Sequence, residues 1–142
     1  MQFFVGTSAF SVQEWKGGFY PEKLPLKGML NYYSQRFPAV EINSTFRRMP
    51  TANVMQSWAN QTPDSFRFAL KAPPAITHFK RLKGVDDQLD QLLQAAAGLK
   101  KRQGPLLFGL PPNFKKFEAY PKGMQSRFAP CKFRVALLMS GF

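Results

Sequence analysis

A carboxylate and an amide interrupt a run that otherwise reads as a buried strand, Ala39-Val40-Glu41-Ile42-Asn43-Ser44. Successive strand residues face opposite ways, so Val40 and Ile42 share one face while Glu41 and Asn43 share the other. In a later run, Phe66, Phe68 and Leu70 share a face and leave Ala69 and Lys71 opposite. If the two strands are neighbours, Glu41 and Lys71 lie on one face, each favouring the charged form of the other. Those residue types suit a general base or ligand carboxylate at Glu41, an orienting amide at Asn43 and an anion or oxyanion binder at Lys71. The alternative is a structural ion pair that fills a barrel interior. Both readings stand on sequence alone, although three polar groups at adjacent strand ends are more than a core usually tolerates.

Other candidates flank these three. His78 follows the Lys71 strand in Pro74-Ala75-Ile76-Thr77-His78, placed either to shuttle protons at the same mouth or to sit idle in a surface loop. Thr7 and Ser8 close the first apolar run, "QFFVGTS". Trp15, Phe19 and Tyr20 offer an aromatic wall for a sugar or base, or simply pack their loop onto the rim. Arg47, with Arg48 beside it, suits a phosphate. No phosphate-cradling glycine loop is present, because "KGGFYP" lacks the preceding strand and following helix. One cysteine, Cys131, and one histidine preclude an intramolecular disulfide, a cysteine cluster and a paired-histidine zinc motif. No metal ligand set and no cofactor can be named, and nothing resembles a serine or cysteine triad.

Short apolar runs alternate with longer helical patterns, the signature of βα units around a parallel sheet. The spacing predicts strands at "QFFVGTS", "AVEINS", "FRFALKAP" and "PLLFGLPP", and helices at "LKGMLNYYSQRF", "ANVMQSWANQ" and 85–99. Pro38 should stop the first helix. Thr51 should cap the second, with Val54 and Trp58 on one face. The third carries the clearest stripe, Val85, Leu89, Leu92, Leu93, Ala96 and Leu99, with Asp86 and Asp87 at its positive end. The fold expected is therefore α/β with parallel strands and about four βα units. That is a partial TIM-type barrel, half of a fold of about 250 residues, or else a smaller open sheet. Both architectures place ligand sites at the carboxyl ends of their strands, where the polar residues above collect. The rhythm fails beyond Lys116, which divides the chain into 1–116 and a divergent tail, 117–142, with one further strand candidate, "FRVALLM".

A formal charge of +12 favours acidic partners and makes a basic nucleic-acid-binding module the rival class. The densest clusters, Lys80-Arg81-Leu82-Lys83 and Lys100-Lys101-Arg102, read as solvated helix ends or as a binding groove. With neither a signal-peptide pattern nor an apolar run near 18 residues, the expectation is a cytoplasmic protein without membrane contact.

"VGTSAFSVQEWKGGFYPEKLP", "FPAVEINSTFRRMP", "FRFALKAPPAITHFKRL" and "GPLLFGLPPNFKK" together closely resemble the YecE-like family, a domain of unknown function, over about residues 3 to 116. The resemblance implies a TIM-type barrel with a polar mouth formed here by Thr7, Ser8, Trp15, Tyr20, Glu41, Asn43, Lys71 and His78. It implies no activity, so whether the protein is an enzyme stays open. Ala9-Phe10 stands where the family usually has Gly-Trp, Arg47 where it has tyrosine and Gly109 where it has glutamine. The family pattern also decays after Lys116, as a truncated or frame-shifted product would. A half barrel bares sheet edges and apolar interior, so self-association or a missing second half is expected. The expected ligand is a small polar or anionic metabolite, with little activity in this chain alone; a non-functional remnant is the further alternative.

Overall fold

The computed structural model describes residues 3–114 and the strand 135–139. Four parallel strands form one sheet in chain order: β1 Ala39–Ile42, β2 Arg67–Lys71, β3 Gln103–Leu110 and β4 Val135–Met139. Four helices accompany them: α1 Leu26–Ser34, the single turn α2 Ser44–Arg47, α3 Ala52–Asn60 and α4 Asp86–Ala97. α3 links β1 to β2 and α4 links β2 to β3, so the alternating sequence pattern does report βα units. β4 arises from the expected tail, yet it pairs with β3 in register from Leu106↔Val135 to Leu110↔Met139. The remainder of that tail, Cys131 included, lies outside the described residues.

Local chemistry explains most element ends. Thr51 caps α3, its side chain accepting the Val54 N–H at 3.4 Å. α3 then buries Met55 and Ala59, while Val54 is exposed, so the expected Val54–Trp58 face is rotated by one position. α4 buries Leu89, Leu92 and Ala96 as its stripe requires, with Asp86 and Asp87 in the first turn. α1 ends at Ser34, short of the expected Phe37. Pro38 bars its predecessor from helical geometry, and the chain closes instead with Arg36 and Phe37 N–H both donating to the Tyr33 carbonyl.

The first expected strand is not a strand. Residues 3–7 run beside β1, tied by the Glu41 N–H donating to the Thr7 carbonyl at 2.9 Å. The Tyr33 hydroxyl takes the place of a further rung. It accepts the Thr7 N–H at 2.8 Å and donates to the Ala39 carbonyl at 3.1 Å. The approach is so close that a Cβ on Gly6 would sit 1.9 Å from the Ala39 oxygen. Phe3, Phe4 and Val5, a continuous apolar run, remain exposed.

The sheet separates two chemistries. Val40, Ile42, Phe68, Leu70, Leu106, Phe108 and Leu110 are buried with Met29, Tyr33, Met55, Leu89 and Leu92 in one core. Glu41, Ala69, Lys71, Leu107 and Gly109, only partly buried, alternate with those core residues. β3 reaches this phase through a bulge: Phe68 pairs with Gln103 but Leu70 with Leu106. Gly104 and Pro105 occupy the extra space, where Pro105 has no N–H to leave unpaired. A Cβ on Gly104 would come within 2.7 Å of the Phe68 oxygen.

The loop before α1 packs its own aromatic cluster. Tyr20 is 1% exposed, with Phe19 and Tyr32 ring centroids at 4.7 and 5.6 Å, and its hydroxyl donates to the Phe10 carbonyl. Burial first, and the neighbouring Tyr33 second, push the Tyr20 phenol up to about 12 from 10.0. The folded state thus holds this proton more tightly than the unfolded chain does. Its contribution is complete below pH 10 and is lost as pH rises through the folded value. Tyr20→Phe should therefore be less stable than wild type by about 1 kcal/mol at neutral pH. Urea unfolding at stepped pH should show that gap shrinking between pH 10 and 12.

Candidate functional site

The carboxyl ends of β1 and β2 are joined by one buried hydroxyl. Thr45, the second residue of α2, lies with Oγ1 2.7 Å from the Ile42 carbonyl and 2.6 Å from that of Lys71. Its single proton faces two backbone oxygens at once. This fixes Glu41, Asn43 and Lys71 relative to one another.

Glu41 is in register with Ala69 on β2, and Lys71 lies two residues further on the same face. Strand spacing of ~4.8 Å and a rise of ~3.3 Å per residue put their Cα atoms roughly 8 Å apart. Among the described residues, however, neither side chain forms an ion pair. The alternative of a structural ion pair is not what the chain builds. The Lys71 ammonium instead lies 5.1 Å from the Phe46 ring centroid, and a Cβ on Gly109 would touch the Lys71 Cε at 3.6 Å. The lysine stem therefore lies beside Gly109 of β3.

His78 reaches the same ring from another element, a single π-helical turn at Ala75–Phe79. Its imidazole stands edge-on to Phe46, with centroids 5.5 Å apart and planes at 82°. The buried Thr77 holds it through a 2.8 Å contact between Oγ1 and Nδ1. Asn43 donates from Nδ2 to the Ser8 carbonyl at 3.1 Å, while its Oδ1 is buried without a hydrogen-bond partner. That unpartnered acceptor runs against the usual satisfaction of buried polar atoms.

The remaining candidates sit apart from this group or serve the framework. Thr7 is bound to Tyr33 through its N–H, and its hydroxyl donates to the Ala9 carbonyl. Ser8 is exposed and offers its carbonyl to Asn43. Trp15 and Tyr20 stack within the aromatic loop, centroids 6.2 Å apart, rather than facing Lys71. Arg47 is exposed at the end of α2. Phe46 was missed because it is a lone aromatic in a polar turn; its signals were its place in the turn after β1 and within the motif "FPAVEINSTFRRMP". A shallow groove of about 280 Å³ lies elsewhere, between the start of α3 and α4, and is lined by Thr51, Gln91 and Gln94 without a charged group.

The basic clusters are partly consumed in holding loops. Lys80 donates to the Gly84 carbonyl and Gln88 at 3.0 and 3.1 Å. Arg81 donates to the side chain and carbonyl of Asn113 at 3.0 and 2.9 Å. Arg102 binds the Thr62 carbonyl and pairs with Asp64, each at 2.9 Å. Among the described residues, no group of three or more His, Cys, Asp or Glu is placed to hold a metal, and no helix is long and apolar enough to cross a membrane.

Parallel strands joined through helices, with polar side chains gathered at their carboxyl ends, define a mixed α/β protein of the βα-repeat kind. A family model described as "Protein of unknown function DUF72" matches residues 4–137, and the chain belongs to that family. Among curated relatives, the UPF0759 protein YecE of Escherichia coli K12 is 35% identical over 85 residues, covering 60% of this chain and 31% of YecE. The UPF0759 protein YunF of Bacillus subtilis is 30% identical over 76 residues, covering 54% of this chain and 27% of YunF. The matched part thus amounts to under a third of these relatives' length. A DUF72 family protein from Thermotoga maritima superposes with a TM-score of 0.72 at 27% identity, over 96% of this chain and 55% of that one. A second, from Enterococcus faecalis, gives 0.70 at 20% identity, over 92% and 48%, and supports the fold alone.

Thr45→Val should keep the volume and remove the hydroxyl that the Ile42 and Lys71 carbonyls share. The expected cost is about 1–3 kcal/mol, measured as a lowered urea midpoint. An unchanged midpoint would mean that the bridge between the strand ends contributes nothing.

Proposed function

We propose that the strand ends of this chain form part of a binding site for a small polar or anionic metabolite, at the mouth of a TIM-type barrel of which this chain supplies about half. The observation that carries the reading is the pair of unneutralised opposite charges on one sheet face. Lys71 rests on an aromatic ring, Glu41 has no ion partner among the described residues, and an unsatisfied Asn43 oxygen lies just beyond the end of β1. A framework residue would be expected to close such a pair, because partly buried charges are costly when uncompensated. In this reading Lys71 receives the anionic group of the ligand. Glu41 accepts a hydrogen bond or proton from it, and His78 stands at the edge as a proton carrier. Thr7, Ser8, Trp15, Tyr20 and Asn43 then support the rim, and Arg47 extends the cationic side. The barrel rests on family membership, on relatives about twice as long in the solved structures, and on strands paired in chain order. The nucleic-acid alternative has the charge of +12 in its favour, but Lys80, Arg81 and Arg102 are engaged in loop contacts rather than arrayed along a groove.

The test is thermal stabilisation of the chain by a panel of small anions, with inorganic phosphate, citrate and glycolate as probes. At least one should raise the melting temperature. Lys71→Met should weaken that binding by roughly tenfold to a hundredfold, the usual scale of a charge-assisted hydrogen bond. Glu41→Gln should alter which anion is preferred. If the shift is unchanged in Lys71→Met, or a salt-sensitive nucleic acid binds instead, the reading fails.

A further inference from the structure

We propose that Phe46 is a positioning residue that keeps the Lys71 ammonium away from Glu41, so that both charges stay available at the strand ends. The inference rests on the anion-site reading above and adds a residue to it that no motif assigned. Two opposite charges on one partly buried sheet face, on adjacent strands, would be expected to draw together. A flexible lysine stem has the reach to close a Cα separation of roughly 8 Å. It does not close here. The ammonium stands 5.1 Å from the centroid of the Phe46 ring, within the range where the ring quadrupole attracts a cation. The stem lies beside Gly109 on β3, where an added Cβ would stand at an ordinary contact distance of 3.6 Å from Cε.

The ring is in turn held in place. α2 starts directly after β1, and the Thr45 bridge anchors the residue before Phe46 to both strand ends. The His78 imidazole also abuts the ring, with planes at 82°, and the buried Thr77 steadies that imidazole. Thr77, His78, Phe46 and Lys71 thus form one line of contacts. A π face suits this task better than a carboxylate would. It attracts the ammonium without neutralising it, and so leaves the charge for an incoming anion.

The test is a double-mutant cycle on the unliganded chain, with Glu41→Gln and Lys71→Met combined and stability read by urea unfolding. In the wild-type background the two substitutions should act independently, within about twofold in the unfolding equilibrium constant. In a Phe46→Met background, which keeps an apolar side chain but loses the ring, they should couple by about fivefold or more as the ion pair forms. Phosphate binding should weaken in the same variant. Strong coupling already present in wild type, or none in Phe46→Met, overturns the proposal. Should Phe46→Met fail to fold, proton NMR of the unmodified Phe46 protein decides. The Lys71 ε-methylene signal, assigned by its loss in Lys71→Arg, should lie upfield of the other lysines from the ring current; a signal at the common lysine position rejects the contact. Because the cycle needs no ligand, it can fail while anion binding persists, and anion binding can fail while the cycle succeeds.

Discussion

The structure around the strand ends depends on a single buried hydroxyl. Backbone carbonyls need hydrogen-bond donors at the ends of parallel strands as they do further inside. Thr45 resolves this by standing between Ile42 and Lys71 and sharing its proton. The bond to the Ile42 carbonyl three residues back, of the kind a helical threonine commonly makes, holds the oxygen in place. With those ends joined, the backbone positions that carry Glu41, Asn43 and Lys71 are set, and the turn that carries Phe46 has one direction in which to leave.

A second constraint acts through parity. Side chains alternate along a strand, so a slip of one residue exchanges the faces of everything beyond it. The bulge at Gly104-Pro105 makes such a change once, between the pairs Phe68↔Gln103 and Leu70↔Leu106. Beyond it, Leu106, Phe108 and Leu110 enter the core, and Leu107 and Gly109 join Lys71 on the other face. Proline and glycine in the middle of a paired strand, which sequence rules read as disruptive, are what allow β3 to serve both faces at once.

Much of this was readable beforehand where one residue type has one dominant physical reason. Alternation in "AVEI" and "RFALK" placed Glu41 and Lys71 together on a face; the leucine stripe gave α4; Thr51 gave the start of α3. The failures have a common cause, which is that tertiary contacts set the outcome. Residues 3–7 have strand composition, yet the Tyr33 hydroxyl and one backbone bond occupy the edge they would have paired with. Val54 lost its place in the core to Met55 because the cap fixed the helix phase. Phe46 gave no periodic signal at all: its partners, Lys71 and His78, come from another strand and another loop. The absence of a closed Glu41–Lys71 pair could not be read either, because residue types show which charges share a face but not where a flexible stem comes to rest.

The two contacts from Arg81 to Asn113 join the segment after β2 to the segment after β3. Arg81 adopts a left-handed backbone conformation at φ 48, followed by Leu82 at φ 63, which is fully buried. Strain of that kind persists only when surrounding contacts determine it. The two rim segments are therefore coupled mechanically, and displacing one means displacing the other. For a ligand bound at the strand ends as proposed, the entropic cost of ordering these two segments would fall on the folding step rather than the binding step. Residues more than thirty positions apart in the chain thus hold one another's conformation.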